Sequence, residues 1–159
     1  MTKLFRGPKN SITDIDGLLV GNAQDDHIKS GATVLTRLTS FRASVSILGG
    51  APGTKETDLL SPDKIIENID GIVLAGGSAF GLDASSGVMD CLRGQNRGFD
   101  TGTVKVPIVP SAILFDLKNG GFKEWSINPY RELGQNAFLK ASHDFEIGSV
   151  GAGCGATTS

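Results

Sequence analysis

Glycine constrains this chain more than any other residue type, because 22 of the 159 residues are glycine. Average usage in globular proteins is about 7%, so glycine is roughly twice as frequent here as usual. The glycines follow no collagen repeat, and several stand in pairs, such as Gly49-Gly50 and Gly76-Gly77. Since glycine adopts left-handed backbone conformations at little cost, this distribution predicts tight turns at the ends of strands and helices.

The composition is that of one globular domain. The chain is 39% hydrophobic and 20% charged, with a formal net charge of −2, and its length fits a single domain. Without a broad positive charge, we expect neither nucleic acid nor a membrane as a partner. Residues 1–11 are polar and basic, and we expect them to be a flexible leader before a single domain at 12–159.

Cysteine and histidine give no sign of a disulfide framework or a metal site. Cys91 and Cys154 form no CxxC pair, which favours a reduced, cytoplasmic setting. His27 and His143 stand alone, so the sequence predicts no bound metal. We expect neither a secretory signal nor a membrane-spanning segment, since no apolar run approaches about 20 residues.

Hydrophobic patterning predicts a mixed α/β domain. Strands are predicted at residues 12–20, 32–38, 43–48 and 72–75, and within a β-rich block at 104–117. Pro107 and Pro110 should stand at an edge, a bulge or a strand end of that block. Helices are predicted at 61–71, 82–92 and 128–142, two of them started by a cap residue followed by proline. Small residues in the second helix should leave room for a neighbouring backbone.

The segment Gly76-Gly77-Ser78-Ala79-Phe80-Gly81 lies between a predicted strand and a predicted helix. An α/β-hydrolase places its nucleophilic serine in such a turn, but Phe80 stands where the second glycine of G-x-S-x-G is required. Two interpretations stay open. Ser78 caps the helix, or Ser78 is the nucleophile of a self-contained serine hydrolase with His143 as its base.

Three glycine-containing strings carry a more specific signal when they are taken together. They are GGAPGTKETDLL at 49–60, LAGGSAFGLDA at 74–84 and VPIVPSAILFDL at 106–117, with ITDIDGLLVG at 12–21 and GSVGAG at 148–153 on either side. In this order they resemble the DmpA-type L-aminopeptidase/D-esterase family. That family includes β-peptidyl aminopeptidases and nylon-oligomer hydrolases, and the resemblance spans nearly the whole chain.

The resemblance implies a fold and a mechanism. The fold is α/β (α+β), part of a four-layer αββα sandwich of the DmpA/ornithine-acetyltransferase-like type. Family members cut themselves into two subunits, and the cut exposes a Ser or Thr as a new N-terminus whose hydroxyl attacks an amide or ester. We expect this nucleophile, and the asparagine that stabilises the oxyanion, beyond Ser159. No catalytic residue is then expected in this chain, and 12–159 would be the incomplete N-terminal portion.

The same resemblance suggests residues of a substrate pocket and of a loop that shapes it. The pocket candidates are Gly76, Gly77, Ser78, Phe80, Ser111 and Phe115. The loop candidates are Gly49, Gly50, Pro52 and Gly53, because glycine and proline determine a backbone path. Members that trim a free amino terminus carry a glutamate where this chain has Ile113-Leu114-Phe115, so no carboxylate is expected there to hold a substrate ammonium group.

Three functions stay open. The first is the N-terminal portion of a cytoplasmic, self-processing, aminopeptidase-like hydrolase of peptides, amides or esters. Its expected partners are a small substrate, the C-terminal segment that bears the nucleophile, and further copies of the protein, with no metal or cofactor. The second is a noncatalytic remnant or a small-molecule or peptide-binding module of the same fold. The third is the serine hydrolase centred on Ser78.

Overall fold

The structure is a computed structural model that describes residues 5–157. The first four residues of the predicted leader, and Thr158 and Ser159, lie outside the described residues. The described part contains these strands and helices in chain order: β1 (Leu18–Asp25), β2 (Ser30–Phe41), β3 (Thr54–Lys55), β4 (Ile69–Ala75), α1 (Ala84–Gly94), β5 (Phe99–Asp100), β6 (Lys105–Val106), β7 (Ser111–Ile113) and α2 (Tyr130–Leu139). Short 3-10 turns lie at Ile12–Asp14, Asp58–Leu60, Ser78–Asp83 and Gly151–Gly153.

Five of these strands form one sheet in the order β1-β2-β4-β7-β3. Neighbouring strands are antiparallel except β4 and β7, which are parallel. A parallel pair needs a crossover connection, and α1 provides it. β5 and β6 form a separate antiparallel pair.

The β1–β2 hairpin confirms the strand predicted at 32–38 and extends it in both directions. Its two strands pair over their full facing length. At the turn, the Asp25 carboxylate accepts hydrogen bonds from the backbone amides of His27 (2.8 Å) and Ile28 (3.3 Å). Aspartate stabilises tight turns in this way, because its short side chain replaces a backbone acceptor.

The strand predicted at 12–20 is wrong in its first half. The Ser11 side chain accepts a hydrogen bond from the amide of Thr13 (3.3 Å), and Asp14 accepts one from the amide of Ser11 (3.1 Å). These bonds belong to a capping box, which satisfies amides at the start of a helical turn. The chain therefore forms a 3-10 turn there, and β1 begins only at Leu18.

The two helices pack against each other and against one face of the sheet, chiefly through β1, β2 and β4. They confirm the helices predicted at 82–92 and 128–142 to within a few residues. The core between the layers includes these buried side chains: Ala32, Val34, Val73, Ala84, Val88, Leu92 and Ala137. A Cβ atom at Gly87 would lie 2.0 Å from the backbone oxygen of Arg131, which confirms that small residues of α1 admit a neighbouring backbone. Within residues 5–157, no helix is long and apolar enough to cross a bilayer.

Two further predicted elements are wrong. The segment 43–48 is not a strand, and the segment 61–71 forms turns and irregular structure until β4 begins at Ile69. Leu48 is 86% exposed and Ile65 is 88% exposed. A periodic apolar pattern stabilises an element mainly when the apolar side chains are buried against another layer. Among the described residues, these two segments have no such layer.

The β-rich block predicted at 104–117 contains β6 and β7. β6 ends immediately before Pro107, and β7 begins immediately after Pro110. The two prolines therefore stand at strand ends, as predicted, where their missing N–H groups interrupt no ladder.

The face of the sheet that points away from the helices also carries apolar side chains. Across this face Thr33 lies beside Leu74, and Leu74 lies beside Ala112. Leu74 is 49% exposed. Helices cover the other face, so the described residues form a helix layer on a sheet layer. This arrangement confirms the predicted α/β class and has the layer order of one half of an αββα sandwich.

Candidate functional site

A groove of about 400 Å³ lies over the helix-free face of the sheet, and we call it the outer groove. On one side it is lined by residues at the ends of β4 and β7, including Leu74, Ala112 and Leu114. On the other side it is lined by residues of the segment 145–153, which follows α2. Because most of the lining is apolar, the outer groove favours apolar parts of a ligand.

Polar side chains of β1 and β2 hold the segment 145–153 against the sheet. Thr33 Oγ1 donates a hydrogen bond to Asn22 Oδ1 (2.7 Å) and accepts one from the amide of Ala152 (3.0 Å). Asn22 Nδ2 donates to the backbone oxygen of Glu146 (2.9 Å). Two polar residues within the strands therefore position one wall of the groove.

The glycine turn after β4 has left-handed backbone conformation at two successive residues. The φ angle is +80° at Gly77 and +54° at Ser78. The amide of Ser78 donates a hydrogen bond to the backbone oxygen of Leu114 (3.0 Å), so the turn borders the outer groove. A left-handed serine is uncommon, and its surroundings must hold it in that conformation.

A buried polar network lies beneath this turn. Asp116 accepts hydrogen bonds from the amide of Gly77 at Oδ1 (2.7 Å) and from Ser30 Oγ at Oδ2 (2.6 Å). Ser30 Oγ accepts a hydrogen bond from the hydroxyl of Tyr130 (2.8 Å). We call these three side chains and the Gly77 amide the Asp116 network. A Cβ atom at Gly76 would lie 2.0 Å from Asp116 Oδ2, so the network explains why glycine occupies this position.

Protonation of Tyr130 agrees with the direction of these hydrogen bonds. Burial raises the pKa of Tyr130 to about 12; the hydrogen bond with Ser30 opposes the rise, and the charge of Asp116 adds to it. The phenol therefore stays protonated near neutral pH and donates to Ser30. Asp116 receives one donor at each carboxylate oxygen, so both oxygens act as acceptors.

The other predicted pocket residues do not converge on the outer groove. Ser111 is buried, and its Oγ has no hydrogen-bond partner among residues 5–157. Phe115 is more than half exposed. Phe80 lies edge-on to Trp125, with ring centroids 5.0 Å apart, close to the start of α2. Of these candidates, Ser78 is the one bonded to a residue of the groove, and the pocket roles stay predictions.

The loop predicted to shape the site reaches the outer groove through its last glycine. A Cβ atom at Gly49 or Gly50 would meet nothing within 4 Å, and Pro52 is exposed. The backbone oxygen of Gly53 accepts a hydrogen bond from the amide of Ile113 (3.0 Å), which lines the groove. The role of this loop in shaping the site stays a prediction.

The family of the chain follows from comparison with known proteins. Residues 10–159 match the family model Peptidase family S58. The chain belongs to peptidase family S58. This membership, together with the relatives described next, confirms the DmpA-type resemblance.

Curated relatives of this S58 chain match it over part of their own length. The uncharacterized aminopeptidase Rv1333 of Mycobacterium tuberculosis is 43% identical over 152 residues, covering 91% of this chain and 43% of that protein. The 6-aminohexanoate-oligomer endohydrolase of Paenarthrobacter ureafaciens is 31% identical over 147 residues, covering 91% of this chain and 38% of that protein. The S58 chain therefore spans less than half the length of these relatives.

Solved structures share the fold at low sequence identity. The PH0078 protein of Pyrococcus horikoshii has a TM-score of 0.73 and 20% identity, over 98% of the S58 chain and 47% of that chain. The L-aminopeptidase D-Ala-esterase/amidase of Ochrobactrum anthropi is described as a variant of the Ntn hydrolase fold. It has a TM-score of 0.72 and 18% identity, and the match covers 99% of the S58 chain and 47% of the Ochrobactrum chain. These likenesses confirm the predicted fold type.

The described part of the S58 chain provides no histidine base for Ser78. His27 stacks on Phe122, with ring centroids 4.9 Å apart, and His143 Nδ1 lies 3.1 Å from Lys9 Nζ. Within residues 5–157, no hydrogen bond joins Ser78 Oγ to either imidazole. A serine triad needs a histidine in contact with the nucleophile, so the geometry does not support one here.

The cysteines are poor nucleophiles in this environment. Burial raises the pKa of the Cys91 thiol, and the charge of Asp90 adds to the rise. Burial, followed by the charge of Asp26, does the same for Cys154. Since the thiolate is the reactive form, the raised pKa lowers the fraction of each thiol that is reactive near neutral pH. Among the described residues, no three His, Cys, Asp or Glu side chains come together as a metal ion would require.

Sequence reasoning missed several groove residues. They are Asn22, Thr33, Leu74 and Glu146. Asn22 stands inside β1, where asparagine is disfavoured, but the predicted strand 12–20 ended before it, so the sequence pattern did not mark it. Glu146 gave no signal either, because it stands in an irregular segment. Among the described residues that line the outer groove, it is the only charged side chain.

Proposed function

We propose that this chain forms part of a hydrolase that cleaves peptide, amide or ester bonds by an aminopeptidase-like acyl-transfer reaction. The observation that carries the proposal is the match of residues 10–159 to Peptidase family S58. The names of the relatives agree with it, since one is called an aminopeptidase and another a 6-aminohexanoate-oligomer endohydrolase. Both names describe cleavage of an amide bond.

In this proposal the attacking hydroxyl belongs to a Ser or Thr on a segment that follows Ser159. The length of the relatives supports it, because the matched region is less than half of each. Self-processing would free the α-amine of that Ser or Thr, and the amine would act as base for its own hydroxyl. An asparagine amide on the same segment would donate to the oxyanion as the acyl carbon becomes tetrahedral.

The outer groove is the proposed site for the substrate chain. Its volume of about 400 Å³ lies within the usual range for small-molecule sites, about 300–1,000 Å³. Leu74 and Leu114 offer apolar surface to an aliphatic segment. Glu146 on the opposite side offers a carboxylate, and a free substrate ammonium group would be attracted to it. Glu146 would thus supply the charge that residues 113–115 lack.

We also propose that the processed subunits associate into a homo-oligomer in the cytoplasm and work without metal or cofactor. Cys91 and Cys154 are both free thiols, which is compatible with a reducing compartment. Size-exclusion chromatography with light scattering tests the assembly. A monomer at micromolar concentration would contradict the oligomer.

The experiment that tests the proposed function is expression of the complete gene product, followed by a denaturing gel and an assay with a 4-nitrophenyl ester and an amino-acid 4-nitroanilide. We expect two fragments, and N-terminal sequencing of the second fragment should begin at Ser or Thr. Replacing that residue with Ala should leave one band and abolish hydrolysis. The N-terminal sequence of the second fragment also shows whether its first residue lies beyond Ser159, as the proposal requires.

Two other outcomes would replace the proposal. If residues 1–159 alone hydrolyse the ester and Ser78→Ala abolishes this activity, the chain is a self-contained serine hydrolase. If the product remains one band without turnover but binds a peptide or amide, it is a binding module. Thr103→Ala, a substitution of an exposed residue outside the groove lining, is the control for nonspecific loss of activity.

A further inference from the structure

The Asp116 network takes no part in the proposed acyl transfer, yet it is among the most deeply buried polar groups in the described chain. Asp116 is 1% exposed, and Ser30 and Tyr130 are fully buried. A buried carboxylate is costly unless several donors satisfy it.

The network closes a ring at one end of the outer groove. Asp116 lies two residues after Leu114 and accepts a hydrogen bond from Gly77. The next residue, Ser78, donates its amide to the backbone oxygen of Leu114 (3.0 Å). The end of β7 is thereby bonded twice to the turn after β4. Leu114, which lines the groove, and Ser78, with its positive φ, are both bonded within this ring.

The same network reaches the chain on the other side of the groove. A Cβ atom at Gly155 would lie 2.6 Å from Asp116 Oδ2 and 2.7 Å from Asn119 Nδ2. Asn119 Nδ2 donates to the backbone oxygens of Lys29 (2.6 Å) and Gly155 (3.2 Å). Gly155, which follows the segment 145–153, therefore packs closely against the Asp116 carboxylate and the Asn119 side chain.

We propose that Asp116, with Ser30 and Tyr130, is a positioning network that fixes the two walls of the outer groove relative to each other. Asp116 acts through the backbone of Gly77 and Leu114 rather than by touching substrate. The effect on turnover rests on the proposed hydrolase function, whereas the effect on backbone order does not. Asp116→Asn is the sharpest substitution, because it keeps the shape and replaces one acceptor oxygen with a donor.

Asp70 provides a matched control at the opposite end of β4. It is 4% exposed, and its Oδ2 accepts a hydrogen bond from the amide of Ile108 (3.0 Å). Neither Asp70 nor Asp116 lines the outer groove. Asp70→Asn therefore removes a buried charge and an amide acceptor of the same kind while leaving the Asp116 network intact.

The first measurement is hydrogen–deuterium exchange of the full-length protein, resolved to peptides that contain Gly77 or Ile108. Asp116→Asn should speed exchange at Gly77 by roughly 10- to 100-fold, the factor expected from loss of a hydrogen bond to a charged group. Exchange at Ile108 should stay unchanged. Asp70→Asn should give the reverse pattern. Equal exchange at Gly77 in wild type and Asp116→Asn would overturn the inference.

The second measurement is steady-state hydrolysis of the 4-nitroanilide by the processed full-length protein at temperatures where each variant is folded. Asp116→Asn should lower kcat by about 10- to 100-fold, since misplacement of about 1 Å at a reacting group can cost 10²-fold. Asp70→Asn should change kcat less than about twofold, because it leaves the groove walls in place. If Asp116→Asn speeds exchange at Gly77 but keeps the wild-type kcat, the positioning role is refuted.

Failure of the proposed function has a different signature. In that case wild-type full-length protein shows no hydrolysis of either substrate, and the kinetic comparison is replaced by the exchange comparison alone. The crossed exchange pattern at Gly77 and Ile108 would still support the network as the device that orders the groove. The absence of that pattern would overturn it whatever the enzyme does.

Discussion

The two ends of β4 each depend on a buried carboxylate, and the two carboxylates are used differently. At the start of the strand, Asp70 and Ile108 exchange hydrogen bonds: the Asp70 amide donates to the Ile108 oxygen (2.8 Å), and the Ile108 amide donates to Asp70 Oδ2 (3.0 Å). At the end of the strand, Asp116 joins Gly77 and Ser30, which come from separate segments.

This difference shows what each carboxylate adds to the fold. Asp70 supplements backbone pairing between two segments that already lie side by side. Asp116 joins a glycine turn, the start of β2 and, through Ser30, the first residue of α2. The turn and β2 already belong to one ladder, in which the Gly76 amide donates to the Gly31 oxygen (2.9 Å), whereas α2 pairs with neither. At the start of β4 the carboxylate therefore strengthens pairing between neighbouring segments. At the end of β4 the carboxylate determines the shape of the outer groove. Each of the following substitutions tests that contrast.

The largest effect is expected from truncating the carboxylates. Asp116→Ala should lower the free energy of unfolding by about 4 kcal/mol, because it leaves the Gly77 amide and the Ser30 hydroxyl without their acceptor, at about 1–3 kcal/mol for each unsatisfied group. Asp70→Ala leaves one amide, that of Ile108, and should cost about 2 kcal/mol. Urea unfolding measures both values. Equal losses would remove the contrast between the two ends.

Adding a methyl group should distinguish the ends almost as clearly. A Cβ atom at Gly76 would lie 2.0 Å from Asp116 Oδ2 and 2.2 Å from Ser30 Oγ, so Gly76→Ala should cost about 3 kcal/mol through overpacking. At Gly71 the nearest atom is the Leu35 oxygen, at 3.2 Å. Gly71→Ala should therefore change stability by no more than about 1 kcal/mol. Thermal unfolding of the two variants side by side gives the answer, and a Gly71 variant as unstable as the Gly76 variant would contradict it.

Removing the Tyr130 hydroxyl should weaken only the end of β4 that borders the outer groove, and the loss of stability should depend on pH. Tyr130→Phe should cost about 1 kcal/mol near neutral pH, the usual value of one hydrogen bond. The pKa of Tyr130 is raised by burial from 10.0 to about 12, so an unfolded chain releases this proton at lower pH than the folded chain. Stability from this source is complete below about pH 10 and is lost as pH rises towards about 12.

The matching measurement is unfolding at a series of alkaline pH values. The wild-type chain should lose more stability between about pH 10 and 12 than Tyr130→Phe does, because the variant lacks the titrating group. The chain has a single tyrosine, so no other phenol contributes to the difference. Parallel curves for the two proteins would show that Tyr130 does not titrate as described.

The smallest effect is expected at the surface of the groove. If Glu146 attracts a substrate ammonium group, Glu146→Gln should raise KM about threefold for an amino-acid 4-nitroanilide, since exposed ion pairs contribute about 0.2–1 kcal/mol. KM for the N-acetylated substrate should not change. Glu67→Gln, near the other end of β4 where Glu67 pairs with Arg42 (2.8 Å), is the control. A rise in KM for both substrates would exclude an interaction with the ammonium group.

Several elements could be predicted because their local pattern agrees with their burial. The alternation around Val34 predicted β2, and the spacing around Val88 predicted α1, and both residues are fully buried in the core. The segments 43–48 and 61–71 carry patterns of the same kind, yet Leu48 and Ile65 remain exposed. A periodic pattern indicates a possible apolar face. That face stabilises a helix or strand mainly when another layer of the protein buries it.

The candidate site shows the same division. The order of strand, glycine pair and helix placed the turn at residues 76–78, because this order is a local property of the chain. The reason for the glycines could not be read locally. Ser30 lies 86 residues from its partner Asp116 and 100 residues from its partner Tyr130, and nothing in the neighbourhood of Gly76 indicates either of them.

The sequence alone determined the family, the α/β class and the position of the left-handed turn, since motifs and turn preferences act between neighbouring residues. Only the tertiary structure decided that Asp116 lies beneath that turn and that Glu146 and Leu74 line the same groove. Both depend on the order β1-β2-β4-β7-β3, which brings distant segments together. A buried carboxylate acquires its role from the donors that the completed sheet places around it.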